Sequence, residues 1–356
     1  MNFNLNSLVR KNIQTLKPYS SARDEFTGDA NIFLDANENA FGSPVSFQFD
    51  GNTNIQFNRY PDPQQTSLKQ RISEIKGIPL ENIFLGNGSD EAIDLLIRIF
   101  CEPGIDNIII LPPTYGMYKV CADINNVGIK EVPLTNEFQI DLDALASAID
   151  ENTKIIFICS PNNPTGNSIN KNDIEIVLNN FDGIVVIDEA YINYARQKTM
   201  LPALTEYPNL VIMQTLSKAW GLAALRLGMA FAGRPVIEYL NKVKYPYNIS
   251  NASQQLALQA LQNLDLVNRW TAETVQQREW LMNELQQFHF VQKIYPSDAN
   301  FILVQVEAAK DLYTYLMQAG IIVRDRSNVI LCDNCLRITI GTPDENRQLL
   351  DSLKGY

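Results

Sequence analysis

Lys218 is the residue of this chain best placed for covalent chemistry. It follows the apolar run Leu210–Gln214, with the hydroxyls of Thr215 and Ser217 beside it and Arg226 eight residues on. An amine can form an imine with an aldehyde, and hydroxyl and guanidinium donors can hold a phosphate. The stretch Thr215–Gly228 therefore suits a phosphorylated aldehyde, although most lysines are solvated surface groups.

Four further loops carry chemistry-bearing residues after apolar runs. Gly86–Glu91 (GNGSDE) links a strand-like run to a helical one. Its glycines let backbone approach a ligand, Ser89 can cap the helix, and a helix start attracts phosphate. An ordinary glycine turn with a serine cap reads the same way. Pro112–Tyr118 (PPTYGMY) sets Tyr115 behind a double proline, where its ring can stack on a flat ligand or simply pack. Ser160–Gly166 (SPNNPTG) presents Asn163 after the run IIFIC. Val185–Tyr191 (VVIDEAY) ends an apolar run on Asp188, a carboxylate that needs a cationic partner if buried. That ending also fits the acidic strand of a nucleotide hydrolase. Such an enzyme needs a GxxxxGK[ST] loop, and the dipeptide Gly-Lys is absent from the sequence. Amine, carboxylate, stacking ring, phenol, amide and phosphate donors together match the needs of pyridoxal 5'-phosphate.

Composition narrows the rest. The net charge of −11 argues against nucleic acid, and the sequence has no basic run. An anionic small molecule remains compatible, because screening confines surface charge to about 8 Å. No apolar run approaches the roughly 20 residues that span a bilayer. The N-terminus does not read as a signal peptide, and the cysteine usage points to a reducing cytoplasm. Of the five cysteines, Cys101, Cys121 and Cys159 sit in or beside apolar runs. Cys332 and Cys335 form the one CxxC, read as a turn before a strand, with redox chemistry as the alternative, rather than as a zinc site, which needs four ligands. The single histidine, His289, lies between a helical and a strand-like segment and reads as structural, which removes a Ser-His-Asp mechanism.

The elements that must position these loops follow from periodicity. Ile93, Leu96, Ile97 and Phe100 recur at helical spacing. Continuous Ile/Val runs joined by helices predict a mostly parallel sheet covered on both faces. Helix-rich sequence from 253 to 288, with Leu256, Ala260 and Leu264 on one stripe, precedes the strands NFILVQV and LRITIG. The expected organisation is an N-terminal arm with part of a small domain (1–40), a large three-layer α/β domain (41–250) and a small α+β domain (251–356). Ligands in open parallel sheets sit at the carboxyl ends of strands, where all these loops fall.

The order NPTG, DEAY, SK, R and a late RIT resembles the aspartate-aminotransferase superfamily, fold type I. More narrowly, Asn58–Gln64 (NRYPDPQ), GSDE, PPTYGMY, SPNNPTG, DEAYI, TLSKAWGLAALRLG and Cys335–Thr342 (CLRITIGT) resemble the histidinol-phosphate aminotransferases, from about Leu16 to the C-terminus. The resemblance implies that Lys218 carries the cofactor and then shuttles a proton. It implies that Asp188 pairs with the ring nitrogen, Tyr191 and Asn163 bond the ring oxygen, and Tyr115 stacks on the ring. Gly88, Ser89, Asp90, Thr215, Ser217 and Arg226 would surround the cofactor phosphate, with Tyr60 reaching it from the neighbouring subunit of a homodimer. Arg337 and Arg324 would clamp the substrate phosphate or the glutamate carboxylate in turn, and Tyr19, Asn37 and Tyr247 would lie around the substrate. One departure is Ala224, where glycine is common in the family; a single methyl should shift details more than reaction class.

The implied activity is ping-pong transamination between histidinol phosphate and 2-oxoglutarate, in histidine biosynthesis. A threonine-phosphate decarboxylase shares the loops and the phosphate clamp, and an aromatic aminotransferase is a further alternative. A transcription regulator built on the same fold would need a DNA-binding domain before the core, and the polar first 40 residues carry no helix-turn-helix pattern.

Overall fold

A computed structural model describes residue 5 and residues 8–19, 30–45 and 58–356. The rest of the polar N-terminal arm lies outside the described residues.

Thirteen strands form three sheets among the described residues. They are β1 (Ile32–Phe33), β2 (Ile83–Asn87), β3 (Asn107–Ile110), β4 (Gly128–Glu131), β5 (Thr153–Cys159), β6 (Ile184–Asp188) and β7 (Leu210–Thr215). Then come β8 (Leu227–Ala232), β9 (Val291–Ile294), β10 (Phe301–Val306), β11 (Ile321–Ile322), β12 (Arg324–Asp325) and β13 (Cys335–Thr339). The main sheet has seven strands in the order β2-β8-β7-β6-β5-β3-β4. Only β8 runs against the others, antiparallel to both β2 and β7.

The alternation of side chains explains why these runs are apolar throughout. Along β5, Ile156 and Ile158 enter the core on one face, and Ile155, Phe157 and Cys159 enter the core on the other. A strand buried on both faces has no solvent side to mark with polar residues. The same parity sorts β6: Val185 and Ile187 face one core and Val186 the other. Asp188 therefore falls on the Val186 side, which is also the side of Tyr118 in the helix Met117–Asn125.

A four-stranded antiparallel sheet, β12-β13-β10-β9, lies C-terminal in sequence to the main one. The N-terminal strand β1 pairs in parallel with β11, so the chain's start is stitched to its end. One expected stripe is corrected. In the helix Asn251–Ala260 the buried residues are Gln254, Ala257 and Ala260, and Leu256 is only partly buried. The chain turns before a second helix begins at Leu264, so Leu264 does not continue the first helix's face.

Candidate active site

The main sheet gathers its loops at one edge. β2, β3, β5, β6 and β7 point the same way, so the residues after them converge there. β8 is reversed, and its first residue, Leu227, pairs with Asn87 at the end of β2. Arg226, just before β8, is thereby delivered to the same edge from the opposite chain direction.

A cavity of about 380 Å³ opens at this edge. From the main sheet it is lined by Ser89 and Asp90 after β2, and by Tyr115 after β3. Asn163 after β5, with Asp188 and Tyr191 at the end of β6, form its middle. Thr215, Ser217 and Lys218 after β7, with Arg226 before β8, close that side. Tyr19 and Asn37 come from the N-terminal segment, and Arg324 and Arg337 from β12 and β13. Thus fourteen of the sequence-selected side chains share one cavity. Gly88 adjoins it without lining it. Tyr60 and Tyr247 lie outside it, stacked on each other with centroids 4.4 Å apart. Tyr60 is 80% exposed.

One end is built to receive an anion. The helix Ser89–Phe100 starts there, with Gly88 at its N-cap at a positive φ of 77°. Ser89 is thus the first helical residue and makes no side-chain cap, contrary to expectation. A Cβ at Gly88 would stand 2.6 Å from Arg226 Nη2 and displace that guanidinium, and the positive φ itself favours glycine. Arg226 Nη2 lies 3.4 Å from Asp90, which also accepts the Tyr115 hydroxyl at 3.1 Å. Helix-start N–H groups, hydroxyls and a guanidinium are the donors that can hold a phosphate.

In the middle, Asp188 is 4% exposed, and burial raises its carboxyl to about pKa 6. The expected cationic partner is replaced by neutral donors, the Tyr118 hydroxyl at 2.7 Å and the Ala190 amide at 3.1 Å. Sequence reading missed Tyr118; its signal was a second tyrosine in PPTYGMY, already inside the helix. A buried carboxylate held only by neutral groups suits a ligand that brings its own cation, such as a protonated ring nitrogen.

Lys218 Nζ donates to the Ala36 carbonyl at 3.1 Å and lies 5.7 Å from the Tyr191 ring centroid. Burial, and secondly the Arg337 charge, lower its amine to about pKa 8. A sizeable neutral fraction near neutral pH makes it a usable nucleophile and base.

The far end is cationic. Arg324 and Arg337 face each other across the β12–β13 ladder and are each 5% exposed. Arg337 donates from Nη1 to Asn163 Oδ1 at 2.7 Å, and from Nη2 to the Asp35 carbonyl. Its Nε has no hydrogen-bond partner among the described residues. Arg326 also lines the cavity and was not selected from sequence. The period-two reading of VRDR could have found it, since residues two apart on a strand share a face.

The profile of the family "Aminotransferase class I and II" matches residues 33–353. The chain belongs to that family. The aminotransferase is 53% identical over 356 residues to the histidinol-phosphate aminotransferase of Cytophaga hutchinsonii, covering 100% of both chains. Among solved structures it is similar to the histidinol-phosphate aminotransferase from Clostridium acetobutylicum. That match has a TM-score of 0.83 and 26% identity over 91% of this chain and 98% of the other. The Sinorhizobium meliloti enzyme, in complex with pyridoxal-5'-phosphate, shares the fold at TM-score 0.86 and 22% identity, with 98% of each chain covered.

Of the remaining features singled out from sequence, only Cys159 lines the cavity. His289 is exposed in a turn. All five cysteines are free and buried, and burial raises Cys332 and Cys335 to about pKa 12, so both are thiols. The described residues contain no metal-holding cluster and no helix long and apolar enough to cross a membrane.

Proposed function

We propose that the chain is a pyridoxal-phosphate-dependent transaminase that moves the amino group of histidinol phosphate to 2-oxoglutarate. One observation carries this reading: a single cavity has a phosphate cup at one end, an acid and an amine in the middle, and an arginine pair at the other end. The full-length likeness to a relative named histidinol-phosphate aminotransferase supports the substrate. A cofactor with a ring nitrogen, an aldehyde and a phosphate fits these donors group for group.

When bound, the cofactor supplies an electron sink for charge developing on the substrate carbon. The protein does the rest. Asp188 would be ionised beside a ring cation and hold the proton on the ring nitrogen. Lys218 is placed to hold the aldehyde carbon and to take a proton from the substrate Cα. Asn163 and Tyr191 would hold the ring oxygen, and Tyr115 would cover the ring face. Gly88, Ser89, Asp90, Thr215, Ser217 and Arg226 hold the phosphate. Arg324 and Arg337 receive the substrate's phosphate ester, and then the carboxylate of glutamate, because a guanidinium fork suits either oxyanion. Tyr19 and Asn37 sit beside them.

The exposed Tyr60–Tyr247 stack has no partner in the cavity of its own subunit. We read it as the part lent to a neighbouring copy, in a homodimer with shared sites. A biosynthetic role in the cytoplasm accords with this reading.

The test is a half-reaction. Histidinol phosphate added to the loaded protein should abolish the absorbance of the aldehyde form, and 2-oxoglutarate should restore it. Release of CO₂ from threonine phosphate, with no response to histidinol phosphate, would overturn the assignment.

A further inference from the structure

Tyr191 accepts, rather than donates, its hydrogen bond from Asn37, and the cause lies in β13. The Asn37 backbone N–H points at Thr339 Oγ1, at 3.0 Å. A backbone N–H can only donate, so the threonine oxygen accepts there. Its own hydrogen is then available to Asn37 Oδ1, 3.1 Å away. With the threonine hydrogen on Oδ1, the amide turns its Nδ2 to the Tyr191 hydroxyl at 3.0 Å. An amide NH₂ has no acceptor capacity, so the phenol oxygen must accept. The phenol's hydrogen is left for an acceptor in the cavity that Tyr191 lines.

The links in this chain are rigid. Asn37 is 1% exposed and left-handed (φ 53°), a conformation asparagine tolerates better than most residues. Its carbonyl accepts from Asn300 Nδ2 at 3.1 Å. Thr339 is 3% exposed and pairs in register with Phe301. The Phe301 ring stands edge-on to Tyr191, with centroids 5.1 Å apart and planes at 83°. One strand pair therefore holds both the ring of Tyr191 and, through Asn37, the direction of its proton.

We propose that Thr339 is a positioning residue that orients the Tyr191 hydroxyl proton into the cavity by locking the Asn37 amide. The inference rests on the reading of Tyr191 as a donor to the cofactor ring oxygen. Without Thr339 the amide is free to turn. Its oxygen would then take the phenol's proton and leave the cofactor oxygen without that donor.

The experiment uses the holoenzyme and follows the cofactor absorbance band as a function of pH. A donor to the ring oxygen favours the deprotonated form of the bound cofactor, so its loss moves the midpoint up. Thr339→Val, close in shape and unable to bond, should raise the midpoint by about one unit, a tenfold change in proton affinity. It should lower kcat about tenfold with KM within about twofold. Thr339→Ser should restore wild-type values, and Thr339→Ala serves if the valine protein does not fold. A midpoint unchanged in folded Val or Ala variants overturns the proposal, as does failure of serine to rescue it. Tyr191→Phe separates the two levels. If it does not move the midpoint, the reading of Tyr191 fails. If it does and Thr339→Val does not, this proposal alone fails.

Discussion

Arg337 Nη1 donates to Asn163 Oδ1 at 2.7 Å, joining the cationic end of the cavity to its middle. A guanidinium cannot accept, so Asn163 must present Nδ2 to whatever lies beside it. The arginine proposed to meet the substrate therefore also sets the amide proposed to meet the cofactor. Asn163→Ala should lower kcat/KM roughly 30-fold, from the loss of a charge-assisted bond worth about 2 kcal/mol. Arg337→Lys should cost at least as much, because the fork is lost. Half-reaction kinetics on the two single variants and the double should reveal losses smaller than additive, as expected of groups in one network.

Asp188 gives a stability signature in the cofactor-free protein. Its folded pKa of about 6 lies above the ordinary aspartate value of 3.8. Its favourable contribution is thus complete below about pH 4 and lost as pH rises through 6. Cofactor-free Asp188→Asn should be more stable than wild type above pH 6, by at most about 3 kcal/mol, and the gap should close near pH 4. Denaturant titrations at three pH values measure this. The same variant should lose most of its transaminase activity.

Lys218, with an amine near pKa 8, should capture the cofactor faster as pH rises to about 8 and then level off. Stopped-flow mixing of cofactor-free protein with pyridoxal phosphate tests the profile. After borohydride reduction, mass spectrometry should find the adduct on wild type and none on Lys218→Ala.

Tyr60 is proposed to act across a dimer, and hybrid dimers decide it. Mixing Tyr60→Ala with Lys218→Ala protein puts both lesions in one site and leaves the other intact if Tyr60 acts in the partner's cavity. The hybrid should then regain a wild-type KM at about half the site number. Action within its own subunit predicts only the Tyr60→Ala KM.

Arg326 adds a third guanidinium to the end that holds Arg324 and Arg337. A phosphate ester carries close to two charges at neutral pH and a carboxylate carries one. Arg326→Gln should therefore raise KM for the phosphorylated donor about tenfold, and KM for glutamate by less. Separate measurement of the two half-reactions checks the asymmetry.

Sequence alone determined the residue types and the strand ends. Lys218, Asp188 and Asn163 stand where apolar runs stop, and a run buried on both faces can stop only at a sheet edge. The class of cofactor followed, because few ligands use an amine, an acid and a phosphate cup together. Tertiary structure decided the rest, because it depends on contacts between residues far apart in the chain. The reversal of β8 brings Arg226 to the cup. The parity of β6 turns Asp188 toward Tyr118, 70 residues away. The pairing of β12 with β13 sets Arg324 opposite Arg337. Thr339 meets Asn37 across 302 residues. No local periodicity encodes that bond, yet it sets the side of Tyr191 from which a proton can leave.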